Sequence, residues 1–407
     1  MSTSRGGSRQ GAHVSVDADD VRFMRRALEL AEQGAGQVAP NPKVGAVIVR
    51  DGRIVGEGWH QRYGGPHAEV HALQAAGRAA RGATAYVSLE PCNHHGQTPP
   101  CTEALIEAGV VRVVCAVRDP NPKAAGGMER LQAAGIVVHT GVCEEDALLA
   151  NAAFFHHARW QAQHQEPHQG QHQEQHHGQH QPQPAHASKG ADAALPFVVL
   201  KLAVSIDGAI VDASHRRGWL TGPEAHRAVH ALRAEADAVA VGIGTALADD
   251  PSLTVRLVPA PRIAPLRVVF DRQARLPLDS TLVRTARDVP VRVMTHRASP
   301  SRVAALEEAG VTVSEATSAR DALLQLGAVG VRHVLVEGGA ELGSTLLAAG
   351  LVHHLIIFQA PVILGAGAVP AFAAYPSVEA ARAPRLRVLE RRVFGADLMT
   401  RYAVSGD

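Results

Sequence analysis

The chain has 407 residues, enough for two domains, because a single core rarely grows beyond about 250–300 residues. Its 40 basic and 39 acidic residues leave a net charge of +1, which excludes a global cationic field of the kind that draws in polynucleotides or anionic membranes. Four cysteines are too few for a disulfide scaffold, no apolar run reaches the roughly 18 residues of a membrane span, and the opening residues lack a signal-peptide core, so a cytoplasmic protein is expected.

Val21, Met24 and Leu28 at helical spacing predict a helix over residues 20–33, with Asp17 or Asp19 as its cap. Residues 44–49 are a β-branched run, Asp51-Gly52 is a hairpin turn, and residues 54–58 form the returning strand. The pattern continues with helix 67–77, strand 84–89, helix 101–108, strand 110–117, helix 129–134 and strand 136–139. Between 156 and 194, Gln, His, Pro and Gly dominate and nothing large and apolar follows Trp160. This segment holds a large share of the 23 histidines and reads as a disordered spacer, with metal storage as the functional alternative. Beyond it, strands 197–204, 238–241, 266–270, 291–295, 333–337 and 355–359 alternate with helices 223–235, 302–309 and 341–349. Two layered α/β domains are therefore expected, over residues 18–155 and 195–407.

Pro66-His67-Ala68-Glu69, then Pro91-Cys92, then Cys101 supply one imidazole and two thiolates. These ligand types suit Zn²⁺, and three of them leave a fourth position for water, whose pKa a catalytic zinc lowers. Glu69, two residues from His67, is placed to take that proton and pass it to a leaving amine. His-x-Glu with Pro-Cys is the signature of zinc-dependent deaminases, although those usually leave two residues between the cysteines and this chain leaves eight. His67 and His71 stand four apart like a zincin pair, but Ala68 occupies the position where that protease chemistry needs Glu. His94 and His95 are read as surface or substrate-contacting residues, and Cys115 and Cys143 as inert thiols.

The residues around these ligands narrow the class. Ala39-Pro40-Asn41-Pro42-Lys43-Val44-Gly45, Gly56-Glu57-Gly58-Trp59-His60, Gly65-Pro66-His67-Ala68-Glu69-Val70-His71, Ser88-Leu89-Glu90-Pro91-Cys92 and Asp119-Pro120-Asn121-Pro122 closely resemble the deaminase of riboflavin biosynthesis, where a long inter-cysteine loop is normal. The resemblance implies a cytidine-deaminase-like three-layer domain that removes an exocyclic amine from a phosphoribosylated diaminopyrimidinone, with Asn41 and His60 holding the ring. Ala124-Ala125-Gly126-Gly127-Met128 departs from that family by being one residue short and lacking a basic residue.

In the second half no Gly-x-Gly-x-x-Gly follows the first strand, so a Rossmann unit is not expected. Leu200-Lys201-Leu202-Ala203-Val204-Ser205-Ile206-Asp207-Gly208, Trp219-Leu220-Thr221-Gly222-Pro223, Leu232-Arg233 and Gly244-Thr245-Ala246-Leu247-Ala248-Asp249-Asp250-Pro251-Ser252-Leu253 resemble the reductase half of the same bifunctional enzymes, which implies a dihydrofolate-reductase-like fold. The resemblance assigns Val204, Trp219, Thr245, Asp249, Gly339, Ala340, Glu341 and Leu342 to NADPH, and Lys201, Arg233, Leu253, Arg256 and Glu337 to substrate. Arg217 stands two before Trp219, where the family has a small hydroxyl residue. The expected activity is deamination of 2,5-diamino-6-ribosylamino-4(3H)-pyrimidinone 5′-phosphate followed by NADPH-dependent reduction to 5-amino-6-(5-phosphoribitylamino)uracil. A homo-oligomer acting on a small phosphorylated pyrimidine is expected, with neither nucleic acid nor membrane as partner. The alternative is a zinc nucleobase deaminase whose second domain only binds; an aromatic content of 4% opposes the base stacking that a nucleic-acid substrate requires.

Overall fold

The computed structural model describes residues 17–95, 99–121, 124–164, 194–214 and 218–404. They divide into two compact units, residues 17–34 with Lys43–Ala150, and Ala35–Pro42 with the chain from Asn151 onward.

The first unit runs α1 (Ala18–Ala31), β1 (Gly45–Arg50), β2 (Arg53–Trp59), α2 (Ala68–Ala76), β3 (Thr84–Val87), α3 (Cys101–Glu107), β4 (Arg112–Cys115), α4 (Gly127–Ala133), β5 (Val137–Thr140) and α5 (Glu144–Ala150). Asp17 caps α1 as one of the two expected residues, its carboxylate accepting from the Asp20 N–H at 2.7 Å. The sheet order is β2-β1-β3-β4-β5, with antiparallel pairing around β1 and parallel pairing from β3 to β5. Ala46, Ile48, Ala85 and Val113 from the strands bury against Ala68, Ala72, Leu105 and Leu131 from the helices. Helix α2 lies so close on β2 that a Cβ at Gly58 would stand 2.4 Å from the Ala72 nitrogen, so only glycine lets the helix approach.

The second unit runs α6 (Ala152–His164), β6 (Phe197–Val204), β7 (Ala209–Val211), α7 (Pro223–Glu235), β8 (Ala238–Gly242), α8 (Ile243–Asp249), β9 (Leu266–Phe270), α9 (Thr281–Arg284), β10 (Val291–Thr295), α10 (Pro300–Glu308), β11 (Thr312–Glu315), α11 (Ala319–Ala328), β12 (His333–Glu337), α12 (Ala340–Ala348), β13 (His354–Gln359), β14 (Val369–Pro370), β15 (Arg387–Phe394) and β16 (Asp397–Ala403). Its main sheet is ordered β11-β10-β9-β8-β12-β6-β13-β16-β15, parallel from β11 to β13 and antiparallel at the last two pairings. Strands buried on both faces, such as β8 and β12, read as the continuous apolar runs that parallel sheets produce.

Residues 156–164, expected in the spacer, lie in α6, which continues to His164. Phe155 and Ala158 are buried, and His156 donates through Nε2 to the Leu195 carbonyl at 3.0 Å. Trp160 stacks on His164 with ring centroids 4.6 Å apart. Imidazole and indole rings at helical spacing supply the packing that a composition rich in His and Gln conceals. Residues 165–193 of the expected spacer lie outside the described residues, as does Arg217. Among the described residues no helix is long and apolar enough to cross a membrane.

Candidate functional site

The first unit brings together three of the residues picked out by type and spacing. His67 caps the start of α2, Cys101 opens α3, and Cys92 follows β3, so the ends of three elements converge. His67 Nδ1 lies 3.5 Å from Cys92 Sγ and 3.3 Å from Cys101 Sγ. Bonds of about 2.1 and 2.3 Å to one tetrahedral zinc would put nitrogen and sulfur roughly 3.6 Å apart, so the cluster fits that ion. The Cys101 N–H donates to Cys92 Sγ at 3.4 Å, and the hydrogen bond from the Cys101 side chain draws the Cys92 thiol down to about 4. Cys101 is pushed up by the same contact, so the pair shares a proton that a divalent cation displaces.

Glu69 sits in the first turn of α2, only 3% exposed, and burial pushes its carboxyl up to about 6. His60, also buried, donates through Nδ1 to the Pro66 carbonyl at 3.2 Å; its Nε2 is therefore an acceptor, and it has no partner among the described residues. The His60 ring meets that of His67 edge-on at 5.4 Å. Asn41 belongs to Ala35–Pro42, which groups with the second unit, so of the two residues expected at the ring only His60 is supplied by the unit that holds the cluster. His94 and His95 are exposed, and Cys115 is buried with its thiol donating to the Val117 carbonyl at 3.1 Å.

One carboxylate was not anticipated. Glu90, buried, accepts through Oε1 from the N–H groups of Gly126, Gly127 and Met128 and through Oε2 from that of Asp119. The Gly126-Gly127 departure thus forms a nest for an internal carboxylate.

In the second unit a cleft of about 2110 Å³ opens where β6, β8, β9, β10 and β12 end, the usual ligand position for parallel sheets. Single-ligand pockets run to about 1000 Å³, so this one has room for a substrate and a dinucleotide together. Lys201, Arg233, Leu253, Arg256, Glu337, Trp219, Thr245, Asp249 and Gly339 through Leu342 all line it. Val204 is not among these lining residues: its side chain is in the core and its carbonyl accepts from the Ala360 N–H at 2.8 Å.

Arg233 and Glu337 form a two-pronged pair, Nε to Oε1 at 2.5 Å and Nη2 to Oε2 at 2.8 Å. Burial alone would raise Glu337, but the guanidinium outweighs it and the carboxyl falls below its usual range. Burial lowers Lys201, whose Nζ lies 5.6 Å over the Phe358 ring. Gly338 and Gly339 have φ of 68° and 85°, and a Cβ at Gly339 would come within 3.2 Å of Thr245 Oγ1. They lead into α12, whose first turn no side chain caps, leaving N–H groups and a helix dipole suited to a pyrophosphate. Sequence reasoning missed His226 and His230, which also line the cleft, although with Arg233 their i, i+4, i+7 spacing marks one face of α7. It also missed Arg272, Arg275, His296 and Arg297, which line the cleft as well.

The family described as the cytidine and deoxycytidylate deaminase zinc-binding region matches residues 17–117, and the one described as the RibD C-terminal domain matches residues 196–400. The riboflavin biosynthesis protein RibD of Escherichia coli is 39% identical over 404 residues, covering 93% of this chain and 98% of that one. RibD of Aquifex aeolicus is 38% identical, covering 86% and 88%. A solved Thermotoga maritima structure, titled as a diaminohydroxyphosphoribosylaminopyrimidine deaminase/5-amino-6-(5-phosphoribosylamino)uracil reductase, is 33% identical with a TM-score of 0.72 and covers 95% of this chain and 99% of that one. With both units matched at such coverage, the chain belongs to the RibD family of bifunctional riboflavin-biosynthesis enzymes, a zinc-dependent deaminase joined to an NADPH-dependent reductase.

Proposed function

We propose that the first unit deaminates 2,5-diamino-6-ribosylamino-4(3H)-pyrimidinone 5′-phosphate and that the second reduces the ribosyl chain of the product to give 5-amino-6-(5-phosphoribitylamino)uracil. His67, Cys92 and Cys101 hold the Zn²⁺, which when bound supplies a Lewis acid that makes a water proton easier to lose. Glu69 accepts that proton at its carboxylate and returns it to the departing amine, a double task suited to a carboxyl raised to about 6. His60 Nε2 accepts an N–H from the edge of the pyrimidine.

In the cleft, Thr245, Asp249, Trp219 and the start of α12 hold NADPH, and Arg272 and Arg297, which also line it, are the cations that suit its 2′-phosphate. NADPH, when bound, supplies the hydride. Arg256 and Leu253 meet the phosphorylated substrate, the Arg233–Glu337 pair orients its hydroxyl groups, and Lys201 Nζ provides the proton that accompanies reduction. Free thiolate ligands favour a reducing compartment, which supports residence in the cytoplasm. Edge strand β15, with Val393 71% exposed, offers a surface for self-association into a homo-oligomer, and the balanced charge argues against nucleic acid as a partner.

The Glu69 carboxyl buried beside three zinc-type ligands carries this reading. Its test supplies the diaminopyrimidinone phosphate to purified protein and follows ammonia release and NADPH absorbance separately. Glu69→Gln should abolish the first and spare reduction of pre-deaminated substrate; ammonia release by that variant at the native rate would refute the assignment.

A further inference from the structure

We propose that the loop 250–256, between α8 and β9, is a preformed substrate cradle held from α7, α9 and β9, and that Asp250, Arg267 and His230 are positioning residues for the reduction. The inference rests on the reading above that Arg256 and Leu253 meet the substrate. The loop enters at Asp250 with φ 38° and turns again at Leu253 with φ 52°, although Leu253 is only 2% exposed. Two non-glycine residues in left-handed backbone this close together persist only where the surroundings impose the path.

Three elements impose it. At the start of α9, the Thr281 N–H and hydroxyl each donate to the Asp250 carboxylate at 2.7 Å. From β9 the fully buried Arg267 donates through Nη1 to the Ser252 carbonyl at 3.3 Å and to the Thr285 hydroxyl at 2.7 Å, while Nη2 reaches the carbonyls of Thr285 and Val289. The middle of the loop is thereby tied to the far end of α9. From α7, His230 Nδ1 accepts the Arg256 N–H at 3.0 Å and Arg233 Nη1 donates to the Thr254 carbonyl at 3.0 Å. Arg256 itself is exposed, and among the described residues its guanidinium bonds only to Ser252 and Thr254 of its own loop, so the loop's path decides where that cation points. Neither Arg267 nor Asp250 needs to touch substrate for this to matter, since a misplacement of about 1 Å in a binding group can cost up to a hundredfold.

The full chain, assayed with NADPH and pre-deaminated 5-amino-6-(5-phosphoribosylamino)uracil, tests it. Asp250→Ala, Arg267→Met and His230→Phe should each raise the substrate KM about tenfold, with kcat, the NADPH KM and ammonia release held within about threefold. Arg267→Lys, which keeps a donor to the carbonyls, should recover part of the Arg267→Met loss. Should the Arg267 variants fail to fold, Asp250→Ala decides, because that side chain is exposed. Arg256→Ala runs alongside: if it leaves the substrate KM unchanged, the underlying reading fails. If it raises that KM while the three positioning variants do not, the cradle is refuted. A fall in thermal stability with both KM values and kcat worsening together would also refute it, since the residues would then serve the fold alone.

Discussion

The metal cluster and the reductase cleft are built from very different lengths of chain. His67, Glu69, Cys92 and Cys101 all fall between residues 67 and 101, whereas the cleft draws on β6, α7, β8, α8, β9, β10, β12 and α12 among others, from Lys201 to Val369. A site assembled from the ends of three consecutive elements depends on local geometry, and its residues do little else. A site assembled across a parallel sheet uses residues that also join the elements, as Arg233 on α7 joins Glu337 on β12. Damage to the first should therefore be confined to one activity, and damage to the second should spread into stability.

The largest expected effect tests the confinement. Cys101→Ser should lower bound zinc from about one per chain to near zero and cut ammonia release by at least about 10³-fold, while reduction of pre-deaminated substrate stays within about twofold. Zinc content and the two separate assays measure this, and a matching fall in reduction would mean that the two sites are not independent.

The next effect tests the spread. Glu337→Ala leaves the Arg233 guanidinium, 11% exposed, without its carboxylate, and should destabilise the second unit by about 3–5 kcal/mol as well as ending reduction. Denaturant unfolding of the variant measures it. Pairing Glu337→Met with Arg233→Met should restore most of the stability and none of the activity, because no buried charge is then left alone. Restored stability without the second substitution would sink the argument.

The same contrast explains what the sequence could and could not convey. The candidate metal ligands are rare residue types in a fixed short order, so their chemistry is readable before any fold is known. The Gly126-Gly127 segment reads in sequence only as a departure from the family, because Glu90, the group it serves, lies 36 residues away. Along β6, Lys201, Leu202 and Ala203 line the cleft while Val204 does not, a division that strand alternation alone does not convey because the end of the strand, and not one face, borders the cleft. Helix α6 was hidden by composition, since its packing uses His156, Trp160 and Phe155 in place of an aliphatic stripe. Hairpin β15–β16 escaped because β15 carries Arg387, Glu390, Arg391 and Arg392 and is exposed along most of its length, as an edge strand should be.

The smallest expected effect separates the units by pH. At the starts of β12 and β13 in the second unit, His333, His353 and His354 pack around Phe197, whose ring lies 4.9 Å from those of His353 and His354. The His353 Nδ1 accepts the Val198 N–H at 3.0 Å, a bond that requires neutral imidazole. Burial lowers both His353 and His354 to about 3. A histidine whose folded pKa is depressed binds its proton preferentially in the unfolded chain, so its contribution is complete above the unfolded value near 6.5 and declines as pH falls from there towards 3. From pH 7 to pH 5 each should remove roughly 2 kcal/mol, about 1.5 pH units at 1.4 kcal/mol each. Among the described residues the first unit has one histidine displaced in that direction, His60, while its buried Asp20 is held below the usual carboxylate range by Arg112 and keeps its contribution until pH drops below about 4. Denaturant unfolding followed at pH 7 and pH 5 should thus show the second unit weakening more than the first. His354→Leu, which removes a buried Nδ1 that has no partner among the described residues, should shrink that pH difference by roughly 2 kcal/mol; an unchanged difference would mean that these imidazoles do not govern the second unit's response to acid.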